Sequence, residues 1–389
     1  LGWRRATAPD DARGGSDLDP SWRSAVRAGL LAWYRAGHRD LPWRRDRDPY
    51  RILVSEAMLV QTTVAAVIPY YERFLARFPT VEALAAAPEG EVLKLWEGLG
   101  YYRRARQLQA AARAIVDRHG GRVPSEVEAL SALPGVGRYI AGAVASFAFD
   151  RPAPIVEANT QRVLARLIAW REPLTAAASR SRLWEAAGRL VPDAGAGEFN
   201  QALMELGAVV CTPRAPACLL CPIAGSCRAR AAGLVDVIPA RVPRPAPLEV
   251  AEVGAAVEHA GRWLFLRRAP GRLWEGFWEF PILHVAGADP AGRGAGVGAD
   301  PAGWADGFAA LTGVRVEIGA EIASARFGVT RHRVALALRA GRRIGGRARP
   351  GPTHDAASWV PPSGLDAFVM GAAMRRLARA VVAGRAVDP

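Results

Sequence analysis

The sequence predicts two domains of different class, an all-α part over residues 21–230 followed by a smaller α+β part over residues 249–385. Three observations lead there. The chain has 389 residues, more than one hydrophobic core usually holds. Apolar residues recur at helical spacing as far as about residue 230 and alternate with polar ones after residue 248. Between the two textures lies "VIPARVPRPAPL", residues 237–248, a proline-stiffened stretch that makes 231–248 a linker.

The elements follow in order. Residues 1–20, rich in Asp, Gly and Pro, are expected to form a loose tail. Trp22, Val26, Leu30 and Trp33 make one apolar stripe. Ala105, Leu108, Ala112 and Ile115 make another, and Phe199, Leu203 and Leu206 a third. Pro42, Pro69, Pro79, Pro88, Pro124 and Pro134 are expected to punctuate the helices. In "PIVEANTQRVLARL", residues 154–167, an apolar run turns into a helix with Val163, Leu164, Leu167 and then Ile168 on one face, and Asn159 or Thr160 as its cap. Beyond the linker, "EVAEVGAAVEHAGRWLFLRRA" and "VTRHRVALALRAG" read as strands and "WADGFAALTG" as a short helix. Glycine-rich "AGADPAGRGAGVGADPAG", residues 286–303, reads as a mobile loop. The sequence contains no internal repeat.

The formal net charge is +14 and the pI about 10.7, a balance that favours a polyanionic partner; the alternative is a basic surface with no specific partner. No apolar run is long enough to span a membrane and no secretory h-region is present, so a cytoplasmic protein is expected. Lys94 is the only lysine, which leaves one candidate for Schiff-base chemistry, in a hydrophobic helix turn that does not read as a pocket.

All four cysteines lie in "CTPRAPACLLCPIAGSC", where Cys211, Cys218, Cys221 and Cys227 are separated by six, two and five residues. Four thiolates in so short a loop can wrap one metal centre, and Cys₄ ligation suits both zinc and a [4Fe–4S] cluster. A disulfide framework would scatter them. No titratable catalytic group lies inside the loop, so a centre there would clip the end of the helical part.

"LSALPGVGRYIAGAVASFAF" reads helix, tight turn, helix. Gly135 and Gly137 permit a turn whose N–H groups face outward, and the next helix adds positive potential at its start. This suits one DNA phosphate, read without regard to sequence.

Two acids raise a question of chemistry. Glu56 sits among Ile52, Leu53, Val54, Ala57, Met58, Leu59 and Val60. It either points to solvent or lies in an apolar pocket, where its pKa would rise and it could serve as a general acid. Glu157 stands just ahead of a helix, where it either faces the helix dipole or balances a cation formed during a reaction. Two carboxyls in unequal surroundings suit cleavage of a glycosidic bond: one protonates the leaving group and the other stabilises an oxocarbenium ion.

"SEAMLVQTTVAAVIPYYERF", "WEGLGYYRRARQL", "LPGVGRYIAGA" and "FNQALMELGAVVCTPRAPACLLCP" occur in that order. Together they resemble the MutY family of adenine DNA glycosylases, in the helix–hairpin–helix superfamily, closely over residues 22–230 and more weakly to the end. The resemblance implies an all-helical glycosylase domain with a [4Fe–4S] loop at residues 211–227, then a Nudix-like α+β domain. It implies that Glu56 protonates the adenine leaving group and helps activate water, and that Arg44 and Glu205 line the adenine pocket. Tyr139 stands where lyases such as endonuclease III carry a lysine, which implies a monofunctional glycosylase. Asn159 matches the asparagine beside the second carboxylate, and Gln61 and Tyr101 match the wedge that fills the duplex when a base is flipped. The four cysteines match the cluster ligands.

The family usually has Asp-Gly-Asn where this chain has Glu157-Ala158-Asn159. Glutamate keeps the charge and adds a methylene; we expect Glu157 to do the aspartate's work, the rival being an acid that only faces the dipole. Val60 replaces a usually polar residue beside the wedge. "GRWLFLRRAPGRLWEGFWEFP" resembles the opening of the Nudix-like domain that inspects 8-oxoguanine, but no metal-binding Nudix box follows, so pyrophosphate hydrolysis is not expected. The family's Phe-Ser-His recognition loop is here Thr330-Arg331-His332; only the histidine matches, and Arg331 could read a purine edge or grip a phosphate.

The expected activity is base-excision hydrolysis of adenine mispaired with 8-oxoguanine or guanine. The expected partner is double-stranded DNA carrying the mispair, bound by a monomer that is nucleoid-associated if the source is bacterial. The alternatives are a glycosylase for another mispair or lesion, thymine among them, and a lesion-binding protein with weak or no turnover.

Overall fold

A computed structural model describes residues 18–243, 245–287 and 303–384. The tail expected over 1–20 and the mobile loop expected over 286–303 therefore lie almost wholly outside the described residues. Two compact units divide the chain. Of the described residues, the first holds 18–86 and 107–243 and the second 87–106, 245–287 and 303–384. The sequence reading placed 87–106 with the helical part.

Helices run in order α1 (Pro20–Ala36), α2 (Pro49–Leu59), α3 (Val64–Arg77), α4 (Val81–Ala86), α5 (Glu89–Leu95), α6 (Arg103–His119), α7 (Val127–Ser131), α8 (Arg138–Phe149), α9 (Ala158–Leu167), α10 (Ala177–Leu190), α11 (Ala196–Val209) and α12 (Arg228–Ala231). Asp19 and Asp48 cap α1 and α2 by accepting from the second and third N–H groups, each beside a proline in the first turn. The stripe on α1 is Val26, Leu30 and Tyr34, with Trp22 and Trp33 only partly buried at its flanks. The stripes at Ala105–Ile115 and Phe199–Leu206 are buried as expected. Pro69 does not punctuate but lies inside α3. It forgoes one backbone hydrogen bond, and burial of Val67, Tyr71 and Phe74 on the same helix offsets the loss.

Helices α2 and α8 are buried on nearly every face, from Ile52 to Met58 and from Ile140 to Phe147. Small residues let neighbours approach. A Cβ on Gly142 would stand 2.4 Å from the Pro154 carbonyl oxygen, and one on Gly197 2.4 Å from that of Ser146. Residues of α1, α9, α10 and α11 close a second core around Leu30, Leu164, Leu183 and Phe199.

The second unit continues with β1 (Leu248–His259), β2 (Arg262–Arg268), β3 (Trp278–Glu279), β4 (Ile282–Gly287), α13 (Trp304–Thr312), β5 (Val314–Val329), β6 (His332–Gly346), β7 (His354–Val360) and α14 (Ala372–Val382). Among the described residues the strands form one seven-stranded sheet, ordered β3-β2-β1-β6-β5 with β4 on β1 and β7 on β2. Only β1 and β6 pair in parallel. Period-two alternation sorts the side chains. Val253, Ala255, Val257, Leu264 and Leu266 pack with Phe308 of α13, whereas Ala256 and Phe265 pack with Met374 and Leu377 of α14. Among the described residues no helix is long and apolar enough to cross a membrane.

Gly142→Ala should lower stability by about 1–3 kcal/mol, because a backbone carbonyl rather than a flexible side chain opposes the new methyl. Urea unfolding measures it; an unchanged midpoint would contradict the packing of α8 against the segment that precedes α9.

Candidate active site

One cavity of about 380 Å³ opens in the first unit, among α2, α8, α9 and α11. Its lining includes Glu56, Tyr139, Glu157, Asn159, Arg44 and Gln61, so six of the residues singled out in sequence meet there. Trp43, Leu59, Val60, Phe147 and Met204 supply apolar wall.

Glu56 is 2% exposed. Glu56 lies in the enclosed run from Ile52 to Met58 and not beside the exposed Arg51, so of the two sequence alternatives it takes the pocket. Burial pushes its carboxyl up from 4.5 to about 7; the Tyr139 hydrogen bond opposes the rise and the Glu157 charge adds to it. Tyr139 Oη donates to Glu56 Oε2 at 2.5 Å from the first turn of α8. Burial, with Glu56 beside it, holds the Tyr139 hydroxyl well above the ordinary phenol value, so it stays a donor.

Glu157, not Asn159 or Thr160, caps α9. Its Oε2 accepts from the Asn159 N–H and its Oε1 from the Thr160 N–H, both at 2.8 Å. Thr160 Oγ1 accepts in return from the Glu157 N–H at 2.8 Å, closing a capping box. The longer acid wins the cap because its two oxygens reach both free N–H groups. Burial raises the Glu157 carboxyl, and the two N–H groups and Arg162 oppose that rise. Glu157 therefore both faces the dipole and lines the cavity.

Asn159 Oδ1 accepts from Arg162 Nη2 at 3.0 Å, and the same guanidinium donates to the Gly207 carbonyl at 2.6 Å and the Cys211 carbonyl at 2.7 Å. One turn on, Arg166 is 3.3 Å from Cys211 Sγ and donates to the carbonyls of Thr212 and Ile238, each at 2.8 Å.

Glu205 does not line the cavity. It is 2% exposed, and it accepts from Arg39 at 2.6 and 2.8 Å and from Arg44 at 2.9 Å. It holds the two arginines that do line the space. Sequence reasoning missed Arg39, Gln201, Met204 and Arg162. The only signal for Arg162 was a pair of arginines four apart on the helix that Glu157 opens.

The cysteines Cys211, Cys218, Cys221 and Cys227 line one small cavity with Arg166, Val210, Pro216 and Arg230. Burial pushes the Cys221 thiol up to about 11, and the other three thiols add to the rise. Among the described residues no group of three His, Cys, Asp or Glu side chains is set in metal-holding geometry. The donor set, four cysteines lining one space, has the chemistry of a thiolate-bound centre, and Arg166 stands within reach of Cys211.

The α7–α8 hairpin forms as expected. Gly135 has φ +73°, and a Cβ there would stand 2.4 Å from Gln107 Cβ. Gly137 is the N-cap of α8, with ordinary φ and open space around it. Gln61 has φ +58°. In the second unit Tyr101 has φ +49° and is 53% exposed. There the β5–β6 turn is Thr330-Arg331, with Thr330 at φ +53° and its Oγ1 3.3 Å from His332 Nδ1. Arg331 is exposed.

Residues 54–188 match the family model described as HhH-GPD superfamily base excision DNA repair protein, which sets the class. The chain is 49% identical over 215 residues to the adenine DNA glycosylase of Rattus norvegicus, a match covering 53% of this chain and 42% of that protein. It is 46% identical over 205 residues to the adenine DNA glycosylase of Mycolicibacterium smegmatis, covering 52% of this chain and 69% of that one. The chain thus spans about two fifths of the rat relative and more than two thirds of the bacterial one. A solved thermostable thymine-DNA glycosylase is 33% identical, with a TM-score of 0.49, over 56% of this chain and 100% of its own. The chain belongs to the adenine DNA glycosylase family.

A carboxyl whose folded pKa is raised destabilises the fold increasingly as pH climbs from its unfolded value to its folded one. For Glu56 that window runs from 4.5 to about 7 and amounts to roughly 3 kcal/mol above it. Glu56→Gln should therefore gain stability relative to the parent chain between about pH 5 and about pH 8. Thermal unfolding of both chains checks this; a gap that does not widen with pH contradicts the burial.

Proposed function

We propose that this chain is a monofunctional DNA glycosylase that flips adenine out of a mispair with 8-oxoguanine or guanine and hydrolyses its N-glycosidic bond. The observation that carries the reading is a pair of carboxyls lining one cavity: Glu56, buried and with its pKa raised to about 7, and Glu157, capped by the N–H groups of its own helix. A base must leave the stack before such a pocket can reach its bond.

In this reading the extruded purine enters between Trp43, Leu59, Phe147 and Met204. Arg39 and Arg44, held by Glu205, orient its polar edge. Glu56, un-ionised in a substantial fraction near neutral pH, gives its proton to a purine ring nitrogen as the glycosidic bond breaks, and Tyr139 fixes the carboxyl's direction. Glu157 faces the sugar cation left behind, and Asn159, tied to Arg162, borders the same space. Glu56, now ionised, accepts a proton from the water that attacks the sugar carbon. Tyr139 offers no amine for a Schiff base, so no lyase step follows.

Cys211, Cys218, Cys221 and Cys227 would hold a [4Fe–4S] cluster. When bound, its iron–thiolate bonds would tie the loop to the end of the helical unit. The α7–α8 turn at Gly135 and Gly137 takes a phosphate on the N–H groups that open α8. Gln61 and Tyr101 enter the gap left by the flipped base. The second unit is a Nudix-like reader of the opposite base, with Arg331 and His332 at the β5–β6 turn. The partner is double-stranded DNA carrying the mispair, bound by a monomer. The +14 charge supports a polyanionic partner, and affinity falls steeply with salt if arginines carry the phosphate contacts.

A panel of duplexes with adenine or thymine opposite guanine, and adenine opposite 8-oxoguanine, tests the reading under single-turnover conditions. Adenine release should dominate; preferential thymine release would replace the assignment. Glu56→Gln should bind the adenine duplexes as the parent does and lose about 10²–10⁴-fold in release. Base release at the parent rate would defeat its role as acid.

For the second acid the informative comparison is Glu157→Gln against Glu157→Asp. Gln should lose about 10²–10³-fold in release, the scale of one electrostatic group at a developing charge, and Asp should lose much less. Equal activity of the Gln variant would leave Glu157 as a cap alone.

A further inference from the structure

The segment from Trp96 to Tyr102 is held more firmly than an exposed loop requires. Trp96 is fully buried and its Nε1 donates to the Gly100 carbonyl at 3.1 Å. The Gly98 N–H donates to Tyr102 Oη at 3.0 Å. Arg104 Nη2 donates to the Gly100 carbonyl at 3.1 Å, and its guanidinium lies 5.5 Å from the ring centroids of both Trp96 and Tyr101. Gly98 and Gly100 have φ of +101° and +76°, and Tyr101 follows at +49°, where a bulky residue is strained. All this holds out one half-exposed aromatic ring.

The loop is anchored to other residues of the second unit. Arg375 of α14, 7% exposed, places Nε 2.7 Å from Glu97 Oε1 and Nη2 3.0 Å from Glu97 Oε2. Its Nη1 donates to the Leu365 carbonyl at 2.7 Å, and its Nη2 also donates to the Phe368 carbonyl. Beyond Tyr101, the Tyr102 ring meets Phe277 edge-on at 4.3 Å, and Arg106 donates to the Glu275 carbonyl. A buried ion pair is poor glue compared with an apolar contact of the same size, because both charges lose water. What a planar two-pronged pair does well is fix one geometry. Glu97 is four residues from Tyr101, with Trp96 and Arg104 bracing the turn between them.

We propose that Arg375 is a positioning residue for base extrusion: its two-pronged pair with Glu97 sets where Tyr101 stands. The last helix of the sheet unit is then part of the device that opens the duplex, and not only of a domain that reads the opposite base. This rests on Tyr101 acting as the wedge.

The test is a double-mutant cycle on the full chain. Duplexes carry 2-aminopurine in place of the target adenine, opposite guanine, and stopped-flow fluorescence follows extrusion. Arg375→Ala should slow extrusion at least about tenfold, as displacement of a positioned group does. In a Tyr101→Ala background the same substitution should add nothing, because Arg375 acts only through that ring. The charge swap Arg375→Glu with Glu97→Arg should recover most of the rate. Extrusion by Arg375→Ala at the parent rate, or equal slowing in both backgrounds, overturns the proposal while leaving the wedge intact. A Tyr101→Ala chain as fast as the parent removes the wedge reading and the proposal with it. Should Arg375→Ala fail to fold, Arg375→Lys, which keeps the charge and loses the fork, is read in the same cycle against the same outcomes.

Discussion

The site depends on keeping one carboxyl dry. Burial raises the Glu56 carboxyl to about 7 because α2 is enclosed from Ile52 to Met58, and small residues on neighbouring helices help to make that packing close. Gly142 of α8 lies against the Pro154 carbonyl and Gly197 of α11 against the Ser146 carbonyl, closer than any side chain allows. Asn200, itself buried, ties the same helices by donating to Ser146 Oγ and to the Ala153 carbonyl at 2.9 and 2.8 Å. Close helices leave only the cavity as a place for the Glu56 side chain. The surroundings of the acid are thus shaped in part by residues that do not line the cavity.

The second acid is governed by a different constraint. Both Glu157 oxygens are committed to the N–H groups of its own helix, so its position belongs to α9 rather than to a freely chosen rotamer. The helix dipole favours the ionised form there, while burial opposes it. Arg162 and Arg166, one turn apart on the far side of that start, run from Asn159 to the Cys211 carbonyl and from Cys211 Sγ to Thr212. A displacement of the cysteine loop would be felt at Asn159 through a single guanidinium. Gly207, whose missing Cβ would stand 2.8 Å from Asn159 Cβ, removes slack from the other side.

Much of this was legible in the sequence, because the signals were local. Helical spacing marked Leu108 to Ile115 and Phe199 to Leu206, period-two alternation marked β1, β2 and the β5–β6 turn, and a run of apolar neighbours singled out Glu56. What escaped depended on distant partners. The resemblance makes Glu205 a pocket acid, whereas Arg39 and Arg44, more than 160 positions earlier, occupy both its oxygens. Short polar residues favour a cap, so the sequence points to Asn159 or Thr160 for α9, and the capping box made by the longer Glu157 side chain overrides that preference. The membership of residues 87–106 in the second unit has no local signature at all; Glu97 finds Arg375 at a separation of 278 residues.

The backbone departs from the usual regions at a few residues that are not glycine. Eight described residues other than glycine have positive φ. Asp150 ends a helix and Ala260 sits in the tight turn between β1 and β2, places where that conformation is routine. Gln61, Tyr101, Trp274 and Thr330 each carry a side chain that the conformation penalises and that glycine would relieve, and of these Trp274 packs against a core. Thr330 is β-branched, the costliest case, and the surrounding hairpin over-determines it through its Oγ1, His332 and the Val329 carbonyl. A fold that retains strain at those positions obtains something from the side chains that glycine would not supply. For Gln61 that is a place on the rim of the cavity, and for Tyr101 an exposed ring braced from behind. The cost falls on the backbone and the benefit on the side chain, which at Gln61 and Tyr101 is held at a cavity rim or at the surface and not in a core.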